Sequence, residues 1–67
     1  MITVIVNDQP RELPAATSVA ALLEQLQLRS THVAVEVNLQ LVPRALHGTH
    51  VLRAGDRVEI VTLVGGG

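Results

Sequence analysis

The chain has no phenylalanine, tryptophan or tyrosine, no cysteine and no lysine. Each absence excludes something. Without aromatic rings there is nothing to stack nucleic-acid bases on. Five arginines against six acidic residues leave a formal net charge of -1, so the clustered positive charge of a nucleic-acid binder is missing too. Without cysteine there are no disulfides, thiolate nucleophiles, iron–sulfur clusters or cysteine-ligated zinc sites. A small domain without disulfides fits a reducing compartment, and a cytoplasmic location is expected. No apolar run approaches the length of a membrane span, and MITVIVNDQP has neither a basic n-region nor a cleavage pattern. No membrane partner is expected.

Length sets a further limit. The 67 residues make one domain, which on folding buries roughly 60% of the surface its unfolded chain exposes. At this size the gain from burial and the cost of ordering the chain nearly cancel. A deep, pre-formed active-site cavity is hard to build from so little. Composition thus favours a carrier, adaptor or binding module over a self-contained enzyme.

What is present is a dense apolar set of eleven Val, ten Leu, seven Ala, three Ile and Met1. Its periodicity changes along the chain. Ile2, Val4 and Val6 alternate with Thr3 and Ile5, which predicts a strand. Asn7-Asp8-Gln9-Pro10 reads as a turn, and Arg11 to Leu13 as a short return strand confined to a sheet edge by its flanking prolines. Ser18 is placed as a helix N-cap. Val19, Leu22, Leu23 and Leu26 then mark one apolar face, predicting a helix over 19–28. Val33, Val35 and Val37 define a third strand, followed by a turn at Asn38-Leu39-Gln40 and a short extension at Leu41-Val42. Arg44 to His47 suits a single helical turn closed by Gly48. His50 to Leu52 is expected as a short strand, and Arg53 to Asp56 as a turn with Gly55 at positive φ. Val58, Ile60, Thr62 and Val64 alternate in a last strand.

This order predicts an α+β domain with one main helix on one face of a mixed sheet of four to five strands. Ile2, Val4, Val6, Val35, Val58 and Ile60 are expected on the inner sheet face, beneath Leu22, Leu23 and Leu26. Residues 1–64 would form the domain and residues 65–67 a flexible tail. His32, His47 and His50 are expected as solvent-exposed turn residues. Asn7, Asp8 and Asp56 are expected as turn acceptors.

The final three residues are all glycine. A frayed end and a functional end both remain open on composition alone. In the functional case Gly65 and Gly66 give a peptide thin enough to thread a narrow channel, and Gly67 carries the α-carboxylate. A phosphate-binding loop would need a helix after the glycines, and none follows. On the sheet's second face, Ile5, Val61 and Leu63, rimmed by Arg57 and Glu59 and continuing into Val64, form a candidate docking patch.

Several segments share a pattern with one family. Val6-Asn7-Asp8, Ser18-Val19-x-x-Leu22-Leu23, Val33-Ala34-Val35-Glu36-x-Asn38, Val42-Pro43-Arg44, Gly55-Asp56-Arg57-Val58-Glu59-Ile60-Val61 and Val64-Gly65-Gly66-Gly67 together resemble the ThiS family of thiamine-biosynthesis sulfur carriers. The resemblance spans essentially the whole chain. It departs at Thr62-Leu63, where relatives often carry an aromatic residue. It implies the ubiquitin-like β-grasp fold. It also implies a carrier that binds no cofactor itself and is monomeric when free. An E1-like adenylyltransferase with ATP and Mg²⁺ would adenylate Gly67. A sulfurtransferase-derived persulfide would convert it to a thiocarboxylate, and thiazole synthase would take the sulfur. A molybdopterin-type carrier, a ubiquitin-like modifier and a plain β-grasp interaction module are the alternatives. The absence of lysine agrees with an activated acyl terminus, because no side-chain amine is present to attack it.

Overall fold

A computed structural model of the protein describes residues 1–63. Five strands and one helix follow in the order β1 (Ile2–Val6), β2 (Gln9–Leu13), α1 (Val19–Gln25), β3 (Val33–Val37), β4 (Gln40–Val42) and β5 (Arg57–Thr62). Single 3-10 turns occupy Ser30–His32 and Arg44–Leu46. The sheet order is β2-β1-β5-β3-β4. β1 and β5 run parallel, and the other three pairs are antiparallel. This is the expected mixed sheet with one helix, the β-grasp arrangement.

The core lies between α1 and one sheet face. Val19, Leu22 and Leu23 of α1 pack on Val4, Leu13, Val33, Val35, Val37, Val42, Val58 and Ile60, with Leu52 added from the loop before β5. Ile2, Val6 and Leu26 pack partly buried against this cluster. The inner-face set expected from alternation therefore holds, and Leu13, Val42 and Leu52 extend it.

α1 begins where its free amides find partners. The first-turn N–H groups of a helix have no intrahelical acceptors. Here Val19 N–H donates to the His50 carbonyl at 2.9 Å and Ala20 N–H to the His47 carbonyl at 2.8 Å. Ala21 N–H donates to Ser18 Oγ at 3.1 Å, confirming Ser18 as the N-cap. The loop over residues 43–52 is thereby tied to the helix start, and Leu52 N–H adds a bond to the Thr17 carbonyl at 2.8 Å.

α1 ends three residues before the expected boundary. Gln27 adopts φ 59°. Its N–H donates to the Glu24 carbonyl at 3.0 Å, and the Leu28 N–H to the Leu23 carbonyl at 2.9 Å. This double closure is a Schellman motif, normally built on glycine at the left-handed position. A glutamine there gave no stop signal, so the apolar spacing suggested a longer helix.

The strands also differ in detail from the expectation. β2 starts at Gln9 and includes Pro10, tolerated because β2 is an edge strand. The turn after β3 has two central residues, Asn38 (φ 52°) and Leu39 (φ 69°), so Gln40 joins β4. Positive φ at both positions is the type I′ hairpin geometry, and Asn7 (φ 48°) and Asp8 (φ 68°) repeat it between β1 and β2. The segment His50–Leu52 is no strand; a single bridge joins Val51 to Ser18. Gly55 has the expected positive φ, 87°. The last strand ends at Thr62, although Leu63 N–H still donates to the His32 carbonyl at 2.8 Å. Val64, and with it the expected boundary between domain and tail, lies outside the described residues.

Candidate functional site

The strand register places Ile5, Arg57, Glu59 and Val61 on one face, while Val64, Gly65, Gly66 and Gly67 lie outside the described residues. Ile5 on β1 neighbours Arg57 on β5. Along β5, Arg57, Glu59 and Val61 alternate with buried Val58 and Ile60, so they point away from the helix. Val61 is 57% exposed and Leu63 51%. Ile5 is only half-buried, less open than the sequence suggested, because β1 is an interior strand with β2 and β5 on its flanks. Arg57 Nη1 lies 3.6 Å from Asp8 Oδ1, both side chains being solvent-exposed. Screening makes such a pair weak.

Neighbouring strands add residues that alternation within β5 could not reveal. Ala34 stands opposite Val61, Glu36 opposite Glu59, and Leu41 opposite Glu36. Leu41 is 65% exposed. Within β4, Val42 points inward and Leu41 must point out, but only the sheet order places it on the same face as the β5 residues, one strand beyond β3.

A hydrogen-bonded cluster fixes the start of β5. Asp56 Oδ2 accepts from Arg53 N–H at 2.8 Å, the expected turn bond. Asp56 Oδ1 accepts from Asn38 Nδ2 at 3.0 Å. Asn38 Oδ1 accepts from Arg57 N–H at 2.9 Å, and Asn38 N–H donates to the Arg57 carbonyl at 2.7 Å. At the other flank Asn7 does not act as a local turn acceptor. Its side-chain amide bonds both backbone groups of Ile60. These bonds fix β5 at Arg57 and at Ile60.

The histidines divide. His32 is exposed and His50 half-buried. His47 is buried at 3% exposure, contrary to its expected place in solvent. Its Nε2 lies 3.1 Å from the Val42 carbonyl, so Nε2 carries the donated proton. Nδ1 has no partner. His47 belongs to the packing of the loop on the helix start. Among the described residues no three His, Asp or Glu side chains converge as a metal site. An open groove of about 580 Å³ runs between the β3–β4 hairpin and the loop at Thr49–Asp56. No helix of the described residues is long and apolar enough to cross a membrane.

A small β-grasp domain with an exposed apolar strip leading toward a run of glycines matches one family model. Residues 4–67 match that of the ThiS family. The chain belongs to the ThiS family. It is a ThiS-like sulfur carrier of the thiamine-biosynthesis type. The sulfur carrier protein ThiS of Escherichia coli is 34% identical over 64 residues, covering 96% of this chain and 97% of that one. The crystal structure of the thiamine biosynthesis protein ThiS from Geobacter metallireducens superposes with a TM-score of 0.84 at 28% identity, covering 98% of this chain and all of that one. A thiazole synthase of Paramagnetospirillum magneticum is 40% identical over 63 residues. This chain spans only 19% of that protein's length. The ThiS-like segment there belongs to a much longer polypeptide.

Proposed function

We propose that the chain carries sulfur as a thiocarboxylate on Gly67 and delivers it to a thiazole synthase. The observation that carries this reading is the family match over residues 4–67, which runs through the glycines to Gly67. A carboxylate is a poor acyl donor, so the sequence of steps begins with activation. A Gly67 carboxylate oxygen attacks the α-phosphorus of ATP on an E1-like adenylyltransferase with Mg²⁺, and pyrophosphate leaves. The terminal sulfur of a persulfide, supplied by a sulfurtransferase system, attacks the acyl carbon and AMP leaves. A thiol then cleaves the S–S bond, and the thiocarboxylate remains on Gly67. Thiazole synthase takes that sulfur for the thiazole ring.

In this scheme every reacting atom of the chain belongs to Gly67, and the enzymes supply the pockets. Gly65 and Gly66 provide thinness. The five residues after Thr62 reach at most roughly 17 Å when fully extended. Each enzyme must therefore hold the sheet within that distance of its own reacting centre. Ile5, Arg57, Glu59, Val61, Leu63 and Val64 are the residues proposed to be held.

Intact-mass measurement tests the proposal. The protein is incubated with the adenylyltransferase, ATP, Mg²⁺ and a sulfur source. Exchange of one terminal oxygen for sulfur is expected, and deletion of Gly67 or addition of one residue after it abolishes the exchange. ATP-dependent attachment to other proteins, or no change in mass, would overturn the reading.

A further inference from the structure

We propose that the open sheet face receives an arginine of thiazole synthase between Glu36 and Glu59, with apolar side chains of that enzyme covering Leu41 and Val61. The inference rests on the carrier function above and names the chemistry of its docking partner.

Glu36 and Glu59 are direct partners across the antiparallel β3–β5 pair. Directly opposite side chains on one face have Cβ atoms about 5 Å apart, and like charges there are destabilising. Among the described residues neither carboxylate has a hydrogen bond or an ion pair. The cation that could have served them, Arg57, lies two residues from Glu59 on the same face, yet its guanidinium sits beside Asp8. The fold therefore holds two uncompensated carboxylates side by side. Leu41 adjoins Glu36 on β4, and Val61 with Ala34 forms the next row of the face.

This combination restricts the occupant. A purely apolar surface would bury both carboxylates unpaired, at a cost that exceeds the gain from covering Leu41 and Val61. A second copy whose two-fold axis passes through this pair would set acid against acid. A cation must come with the partner. Arginine suits the position because its planar fork can donate to two carboxylates at once.

Location points to the enzyme. Glu59 is eight residues before Gly67, so the arginine must sit within about 27 Å of the centre that receives the tail. Thiazole synthase is favoured because two proteins of that name, from Paramagnetospirillum magneticum and Magnetococcus marinus, contain a segment similar to more than nine-tenths of this chain.

The test measures the Kd of the full chain for the thiazole synthase of the same organism, with Glu36→Gln, Glu59→Gln and the double variant. Each single variant is expected to weaken binding about tenfold. The double variant should be less than multiplicative, since both carboxylates share one cation. The same variants should melt about 1–4 °C higher, because removing one charge relieves the repulsion. Weaker binding from a more stable protein is a result that simple unfolding would not give. A Kd within twofold of wild type for all three variants overturns the inference while leaving the carrier reading intact, provided the wild-type chain binds and is turned over. Affinity lost for the adenylyltransferase alone also overturns it. Failure of the wild-type chain to bind thiazole synthase overturns both.

Discussion

The side-chain amide of Asn7 takes the place of a strand residue beside Ile60: its Oδ1 accepts from the Ile60 N–H at 2.8 Å and its Nδ2 donates to the Ile60 carbonyl at 3.2 Å. β1 stops at Val6, where the chain turns into β2. The parallel ladder nonetheless continues for one more step, because a carboxamide offers the same donor and acceptor as a peptide group. Asn also tolerates the φ of 48° that the turn requires.

Asn7→Ala should therefore destabilise the fold by about 1–3 kcal/mol through two unpaired backbone groups, with extra strain from φ. Asn7→Gly removes the bonds but keeps the backbone relaxed, so it should lose less. Denaturant unfolding measures both. Amide exchange at Ile60 should accelerate in each variant, and equal protection in Asn7→Gly would show that the ladder does not depend on the side chain.

Leu39 supplies the opposite case. It occupies the second central position of the β3–β4 turn at φ 69°, where glycine is favoured, and its side chain is 84% exposed. It has strain without burial to offset it. Leu39→Gly is expected to raise stability by about 0.5–1 kcal/mol, read as a higher denaturant midpoint with an unchanged slope. A lower midpoint would mean that Leu39 makes a stabilising contact despite its exposure.

The same contrast explains what the residue pattern could and could not tell. Val33, Val35 and Val37 alternate cleanly, and so do the residues around Val58 and Ile60; period two alone orients such strands. Gly55 is legible because a left-handed turn selects glycine. The bonds of Asn7 span 53 positions, and no local pattern encodes them. Gln27 sits where glycine would have announced the helix end. For the docking face, Glu59 and Val61 follow from alternation within β5. Ala34, Glu36 and Leu41 join them only through sheet order, a long-range property that a single strand does not carry.

His47 is buried, although a polar side chain next to Gly48 reads as surface. Burial makes it part of the packing, with the Val42 carbonyl as its acceptor. His47→Ala removes that bond and leaves a cavity under the 43–52 loop, so a loss of about 2–4 kcal/mol is expected. The loop carbonyls of His47 and His50 also hold the Val19 and Ala20 amides, so the start of α1 should lose exchange protection first. A ¹⁵N–¹H correlation of the neutral ring should place the proton on Nε2. A proton on Nδ1 would contradict the hydrogen-bond assignment.

Leu63 is the last described residue and stands 51% exposed, immediately after β5 and immediately before the segment that carries the tail. Its backbone is held by the His32 carbonyl, while its side chain buries little within the domain. Leu63→Asp should leave the melting temperature within about 2 °C of wild type, as surface substitutions do. If the strip beside the tail is what the adenylyltransferase holds, the same change puts a charge into a covered apolar contact. The KM for the carrier in ATP–pyrophosphate exchange should then rise at least about tenfold. A kcat that falls while KM stays constant would instead place Leu63 in aligning Gly67 with ATP. Unchanged kinetics would remove Leu63 from the docking surface and shift the contact to Val61 and the strands behind it.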